Sequence, residues 1–358
     1  MNNNIDIKQL GFNKQLETYR SQHQLDRFNV GRVVKEHKDR FLVLAPEGEI
    51  ESELLGNLRY TAQSRADLPA VGDWVAITLY DGNKGIIHQV YPRHSQLERQ
   101  AVGRSGEKQL IATNVDYGII VQSLNRDFNA NRIERYLTLC HQANITPMVV
   151  LSKIDLLGRA EADGMIQAVK DRLPQVTVLP LSNASGEGME LLRQEIQPGK
   201  TYCLLGSSGV GKSTLINQLS GSQRMDTGAI SERIDRGKHV TTHRELIVLE
   251  TGAIFIDNPG LREVGIADSQ EGLEKTFEQI YDLIDECKFN DCTHTTEKGC
   301  AVLAALEAGD LDEDVYQNYM RLEREQAHYA ATVHERRERE KSMGKLYKSI
   351  IQQKQQNR

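Results

Sequence analysis

Eight consecutive residues, Gly206-Ser-Ser-Gly-Val-Gly-Lys-Ser213, have the composition and spacing of a phosphate cradle. The apolar run Tyr202–Leu205 precedes them, and Thr214–Leu219 reads as a helix after them. In that strand, loop and helix order, glycines turn backbone N–H groups onto phosphate oxygens and the helix adds the positive end of its dipole. Gly206, Ser207, Ser208, Gly209, Val210, Gly211 and Thr214 are expected to line the cradle. Lys212 is expected to reach the β- and γ-phosphates as a catalytic charge, and Ser213 to ligate Mg2+. A plain Gly/Ser turn before a helix is the alternative, and the flanking elements argue against it.

A cradle chooses neither the base nor the reaction. Asp257-Asn-Pro-Gly260 closes an apolar strand-like run. Phosphate-loop enzymes keep there an Asp that holds Mg2+ through water, and the Gly N–H can meet the γ-phosphate. Asp257 is therefore expected at magnesium and Gly260 at the nucleotide; standing alone, the tetrapeptide is a common turn. Upstream, Val149-Val-Leu-Ser-Lys-Ile-Asp155 ends a strand in Lys-x-Asp. An Asp so placed accepts two hydrogen bonds from the guanine N1–H and N2 amine, which adenine does not offer in that arrangement, so discrimination is large. Ser152, Lys153, Ile154 and Asp155 would read the base, with Lys153 packed along it and Ser182 and Asn183 backing it. These loops precede the cradle, whereas in an ordinary GTPase they follow it. Such a permuted order leaves sheet and pocket intact when one surface connection is cut and nearby ends are joined.

A second kind of chemistry sits in Cys287-x4-Cys292-x-His294-x5-Cys300. Three thiolates and one imidazole close the tetrahedral shell of a structural Zn2+ and leave no open position. A small helical region with few large apolar residues gains folding energy from such an ion. Buried free cysteines are the alternative, which His294 beside three Cys makes the weaker one. Cys140 and Cys203 lie in apolar runs and read as core.

The framework that must carry these groups is a chain of 358 residues, 39% hydrophobic and 26% charged, enough for two or three domains of a globular protein. Residues 1–27 read as poorly ordered or helical. Between residues 28 and 98, short alternating runs at Asn29–Val34, Arg40–Leu44, Asp73–Thr78 and Gly85–Val90, separated by turns, suggest a small β-barrel of OB-like type. From residue 99 to 268 strands alternate with helices, which implies a parallel sheet. Beyond residue 269, Leu273–Cys287 and Ala301–Ala308 read as helices around the cysteine cluster, followed by long charged helical stretches. No apolar run approaches the roughly 20 residues that span a bilayer, and the polar start has no signal-peptide core. A reducing, cytoplasmic setting is the expectation. The net charge of −6 means that RNA binding must use local patches, such as the cationic tail after Glu335.

With these motifs in this order, the chain resembles the ribosome small-subunit-dependent GTPase A family. The resemblance rests on Lys153–Asp155, Gly206–Ser213, Gly237-Lys-His239-Val-Thr-Thr-His-Arg-Glu245, Asp257–Gly260 and the Cys287–Cys300 cluster. It implies an N-terminal OB-fold, a circularly permuted α/β GTPase domain and a C-terminal α-helical zinc domain. It also implies GTP hydrolysis stimulated by the 30S subunit and coupled to late maturation of that subunit, with rRNA, GTP and GDP as partners. No membrane partner and a monomeric state are expected. His239 resembles the family residue proposed to replace the water-orienting Gln, whose place Leu261 takes here, and Thr241 is the preferred switch ligand of Mg2+. Ser152 stands where family members often carry Asn, and a hydroxyl replaces only part of an amide's bonding. The competing reading is a GTP-dependent binding switch or scaffold on RNA with little intrinsic turnover.

Overall fold

A computed structural model describes residues 5–37, 40–62, 64–100, 108–125, 128–221, 245–257 and 270–328. The chain divides into two compact units, residues 1–98 with 110–264 and residues 99–109 with 265–358.

In the first unit, β1 (Asn29–His37), β2 (Arg40–Ala45), β3 (Gly48–Leu54), β4 (Trp74–Tyr80) and β5 (Lys84–Val90) close a barrel in the order β1-β2-β3-β5-β4-β1. The pair β3–β5 is parallel and its neighbours are antiparallel. This is the five-stranded Greek-key arrangement of an OB-fold. Val33, Phe41, Val43, Ile50, Val75, Ile77 and Ile87 fill its core. The sequence reading expects four strands here, and the structure adds β3. Three glutamates dilute its apolar character, yet Glu49, Glu51 and Glu53 all face outward while Ile50 and Ser52 face in. That period of two is the signal. Of the two alternatives for the extension before the barrel, the structure shows the helix: α1 (Lys14–Gln22), its first turn capped by the Asn13 side chain. Leu10, Phe12, Leu16 and Leu25 pack on Val30, Trp74 and Tyr91, so this segment forms an outer layer of the barrel. A short α2 (Gly56–Thr61) lies between β3 and β4, and β6 (Gln96–Gln100) and β7 (Lys108–Thr113) pair as a separate two-stranded sheet.

The nucleotide-type sheet runs β10 (Thr177–Leu181), β9 (Thr146–Ser152), β8 (Tyr117–Ser123), β11 (Thr201–Leu205), β13 (Ile254–Asp257), β12 (Glu245–Val248). All neighbours are parallel except β12–β13. Its helices are α3 (Ala130–Gln142), α4 (Arg159–Arg172), α5 (Met189–Glu195) and α6 (Lys212–Ser220). Ile119, Val150, Leu204 and Phe255 of the strands bury against Leu192, Leu215 and Ile216 of α5 and α6. Each such side chain contributes about 1.5–3 kcal/mol relative to exposure. From β8 the chain proceeds towards β9, and from β11 it proceeds the other way, to β12 and β13. The carboxyl ends of β8 and β11 therefore flank a topological switch point, the place where open α/β sheets bind ligands.

β12 also pairs with β1 of the barrel at Lys35 and Glu245, whose side chains form an ion pair at 2.6 Å. The two sheets are thus one continuous sheet. Arg32, 1% exposed, reinforces the seam. Its guanidinium donates to the carbonyls of Leu10, Gly72 and Asn114 and to the hydroxyl of Thr201, the first residue of β11. Desolvation brings its pKa down to about 10, against the opposing pull of Asp116 and Asp73.

The second unit holds α7 (Gln270–Thr276), α8 (Glu278–Asp285) and α9 (Ala301–Ala308), and residues 313–328 are helical. The single helix expected over Leu273–Cys287 is two. The chain leaves helical geometry at Phe277, whose buried ring meets Tyr319 edge-on at 5.6 Å.

Candidate functional site

β11 is buried along its length and delivers the chain to the loop Gly206–Gly211. Gly206 has φ +137°, and a Cβ there would lie 2.3 Å from the Val121 carbonyl oxygen of β8. Gly211 has φ +101°, and its Cβ would meet the Asn183 amide nitrogen at 2.7 Å. Side chains are excluded at both positions, which keeps the loop backbone tight against its neighbours. α6 starts at Lys212. The Lys212 ammonium donates to the carbonyls of Gly206 at 2.7 Å and Ser207 at 2.6 Å, so the charge is held over the loop that is to receive phosphates.

The base-side loops are bonded to this loop by the protein itself. Ser152, fully buried at the end of β9, donates its hydroxyl to the Val210 carbonyl at 2.7 Å. Lys153 takes a left-handed backbone, φ 60°, and turns the chain into the short helical turn Ile154–Leu156 that carries Asp155. The buried Ser182 hydroxyl donates to the Asp155 carboxylate at 2.5 Å and accepts the N–H groups of Ala184 and Ser185. The Asn183 amide donates to the Gly211 carbonyl at 3.2 Å. Its oxygen is buried with no hydrogen-bond partner among the described residues. One carboxylate oxygen of Asp155 is thus oriented from behind. This donor and acceptor set fits a guanine nucleotide.

The bonds above join Ser152 to Val210, Ser182 to Asp155 and Asn183 to Gly211, while Lys153 and Ile154 lie in the base-side turn and Ser213 and Thr214 in the first turn of α6. Gly260, His239, Thr241 and the basic tail lie outside the described residues, and of Asp257 only its place at the end of β13 is described. Two contributors were not anticipated. Gln218 donates to the Asn183 carbonyl at 2.6 Å, and the buried Tyr136 hydroxyl of α3 shares a hydrogen bond with Ser207. Both act across distant segments, so nothing in local spacing signals them.

In the second unit, Cys287, Cys292, His294 and Cys300 bring their ligand atoms within 4.8 Å of one another. The Cys287 and Cys300 sulfurs are 3.9 Å apart, and each is 3.6 Å from His294 Nδ1. Tetrahedral ligation at zinc bond lengths requires sulfur–sulfur edges of about 3.8 Å and sulfur–nitrogen edges of about 3.6 Å. The donor set therefore fits a metal ion. His294 reaches the cluster from a left-handed backbone, φ 59°, and Tyr316 donates to its carbonyl at 2.7 Å. The Glu297 carboxylate accepts the Thr293 hydroxyl and the N–H groups of Thr293, Thr295 and Thr296, closing the loop between the last three ligands. Those bonds, the Thr293 hydroxyl first, hold its carboxyl well below the usual range. By contrast, burial pushes the Cys203 thiol up to about 12 and that of Cys140 well above its ordinary value, as for inert core thiols.

The family described as RsgA GTPase matches residues 90–267. The small ribosomal subunit biogenesis GTPase RsgA of Opitutus terrae is 44% identical over 319 residues, covering 86% of this chain and 86% of that protein. The RsgA 1 protein of Bacteroides thetaiotaomicron is 38% identical over 355 residues, covering 99% and 98%. Among solved structures, YjeQ from Thermotoga maritima superposes with a TM-score of 0.63 at 26% identity, covering 82% of this chain and 96% of that one. YloQ, described as a circularly permuted GTPase, gives 0.61 at 24% identity over 88% and 98%, a likeness of fold.

Proposed function

The chain belongs to the RsgA GTPase family, and from that premise we propose that it hydrolyses GTP in the biogenesis of the small (30S) ribosomal subunit, bound to the subunit's RNA and stimulated by it. The observation that carries the guanine reading is the Ser182–Asp155 bond beside the Ser152–Val210 tether, which presents a base-reading carboxylate next to the phosphate loop. Asp155 pairs with the guanine N1–H and N2 amine, Lys153 packs along the base, and Asn183 backs it. Lys212 exchanges its two loop carbonyls for phosphate oxygens, a charge-assisted contact. Ser213, with Asp257 and Thr241, would hold Mg2+, which would supply charge neutralisation for the phosphates. Gly260 meets the γ-phosphate, and His239 helps position the attacking water.

The domain limits follow the same reading: barrel 28–98, permuted GTPase domain 99–268 and zinc domain 269–358, with the tail contacting rRNA phosphates. The ion at Cys287, Cys292, His294 and Cys300 is zinc, one per chain, since three thiolates and an imidazole in a closed shell suit it best. The protein acts as a cytoplasmic monomer. The γ-phosphate orders Gly260 and its neighbours, and those residues are the root of the zinc domain, so subunit affinity follows the nucleotide state. Binding to purified 30S subunits should be tighter with a non-hydrolysable GTP analogue than with GDP. His239→Ala should lower subunit-stimulated turnover and leave analogue-dependent binding intact. Equal subunit affinity in the two nucleotide states refutes the coupling.

A further inference from the structure

At the amino ends of β8 and β11, inside the first unit, lies a cleft of about 250 Å3. Asn114 and Asp116 line it just ahead of β8, and Lys200 and Thr201 line it where β11 begins. The phosphate loop leaves the opposite, carboxyl end of β11. The strand from Thr201 to Leu205 sets the two about 13 Å apart. No residue of the nucleotide site is among the described residues that line the cleft.

Its floor is part apolar and part charged. Phe12, Leu16 and Trp74 supply the apolar part. The charged part is Arg32, 1% exposed, with its guanidinium 5.3 Å from the Trp74 ring. The carboxylates around it are already engaged. Asp116 accepts the Lys200 ammonium at 2.9 Å and the Thr201 N–H at 2.8 Å, and Asp73 accepts Arg93 at 2.6 Å. Asp116 and Asp73 therefore act on Arg32 through space. In direct contact the guanidinium has three carbonyls and one hydroxyl, which take four of its five N–H groups. The fifth, on Nη1, has no partner among the described residues. A buried cation with no counter-ion in contact is a costly arrangement, which an anion in the cleft would relieve.

The backbone keeps space at that nitrogen. Gly11 has φ +92°, and a Cβ there would stand 3.6 Å from Arg32 Nη1 and 2.9 Å from the Gly199 carbonyl oxygen. Gly11 and Gly199 both line the cleft. On the half-exposed rim, the Lys200 ammonium has two hydrogens beyond the one it gives Asp116. The first turn of α1, capped by Asn13, opens on the same space with the positive end of its dipole.

We propose that this cleft binds a small organic carboxylate, its acid group between Arg32 and Lys200 and its apolar body over Phe12 and Trp74. A guanidinium and an ammonium are the recognition set for the acid group. The volume lies below that of drug-sized pockets, so the occupant is compact. The inference goes beyond GTP hydrolysis and shares no residue with that site.

The test uses the full chain and benzoate as the probe. Trp74 is the only tryptophan in the sequence, so its fluorescence reads the cleft directly. Benzoate should change the Trp74 emission saturably, and benzamide, its neutral counterpart, should bind about tenfold or more weakly, as loss of a charge-assisted contact requires. Inorganic phosphate at matched ionic strength should compete poorly, since it has no apolar body. Arg32→Lys, which keeps the charge and loses the planar fork, should weaken benzoate about tenfold. Lys200→Gln, at the exposed rim, should weaken it several-fold and carries the test if Arg32→Lys does not fold. GDP affinity should be the same in wild type and Lys200→Gln, and saturating GDP should leave benzoate binding in place. No saturable change with benzoate overturns the proposal, as does equal affinity for benzoate and benzamide, or for benzoate in wild type and Lys200→Gln. Benzoate that GDP displaces overturns it too, because the probe is then in the nucleotide pocket.

Discussion

The nucleotide pocket and the cysteine cluster are assembled on opposite principles. In the pocket, protein groups hold one another: Ser152 bonds Val210, Ser182 bonds Asp155, and Asn183 bonds Gly211. In the cluster, sulfurs and an imidazole converge at 3.6–3.9 Å, distances that match the edges of a tetrahedral metal shell. The pocket is therefore preorganised, and single changes there should alter binding while the fold survives. The cluster is a folding element, and a single change there should cost structure. The difference follows from what surrounds each. The pocket rides on a sheet with a large apolar core, whereas the cluster sits among short helices with a smaller set of buried residues, Leu273, Phe277, Ile280, Val302, Tyr319 and Leu322 among them.

The largest effect is expected from Cys300→Ser. Structural zinc contributes roughly 10–16 kcal/mol of apparent binding energy, comparable to or above the net stability of a domain. The variant should purify without stoichiometric metal and lose the helical signal of the second unit, while GDP affinity changes little. Chelation should likewise make the cluster thiols react with an alkylating reagent and leave Cys140 and Cys203 silent, as their raised thiol pKa values require. Metal-free protein that keeps its full circular-dichroism spectrum removes the distinction.

Asp155→Asn comes next in size. It removes two charge-assisted bonds, each about 1.5–3 kcal/mol, so GTP affinity should fall by about a hundredfold or more. Xanthosine triphosphate should gain what GTP loses, because its C2 carbonyl can accept from the new amide. Calorimetry with both nucleotides decides this, and wild-type protein that binds GTP and ATP alike contradicts the assignment. Ser182→Ala should be milder. The base-reading carboxylate survives but loses the donor behind it, and the N–H groups of Ala184 and Ser185 lose their acceptor. A roughly tenfold loss of guanine affinity with a melting temperature lowered by only a few degrees is expected. A large fall in melting temperature would mean that Ser182 is a structural residue and that the pocket is less preorganised than argued.

The legible parts of this molecule were those encoded locally. A phosphate loop is a contiguous strand, turn and helix, so Gly206–Ser213 announces itself, and so does a cluster confined to Cys287–Cys300. The permuted order was readable because each motif is short and self-contained. Less was readable where the cause is distant. Ser152 looked like a deficit beside the usual Asn, yet its hydroxyl is what ties the base strand to Val210. Arg32 gave no signal, since its partners at Leu10, Gly72, Asn114 and Thr201 come together only in the fold. β3 was obscured by its glutamates although its alternation was present, and the break at Phe277 falls where its ring packs on Tyr319, with no Gly or Pro there to mark it.

GTP turnover at this pocket should respond to the small ribosomal subunit. The most direct test is GTP hydrolysis by the intact chain, measured under single-turnover conditions while purified 30S and, separately, 50S subunits are titrated in. Saturable stimulation by 30S subunits, little by 50S subunits and none with Asp155→Asn is the predicted result. Hydrolysis that is the same with and without 30S subunits, despite tight analogue-dependent binding to them, contradicts the account and leaves a GTP-dependent scaffold in its place.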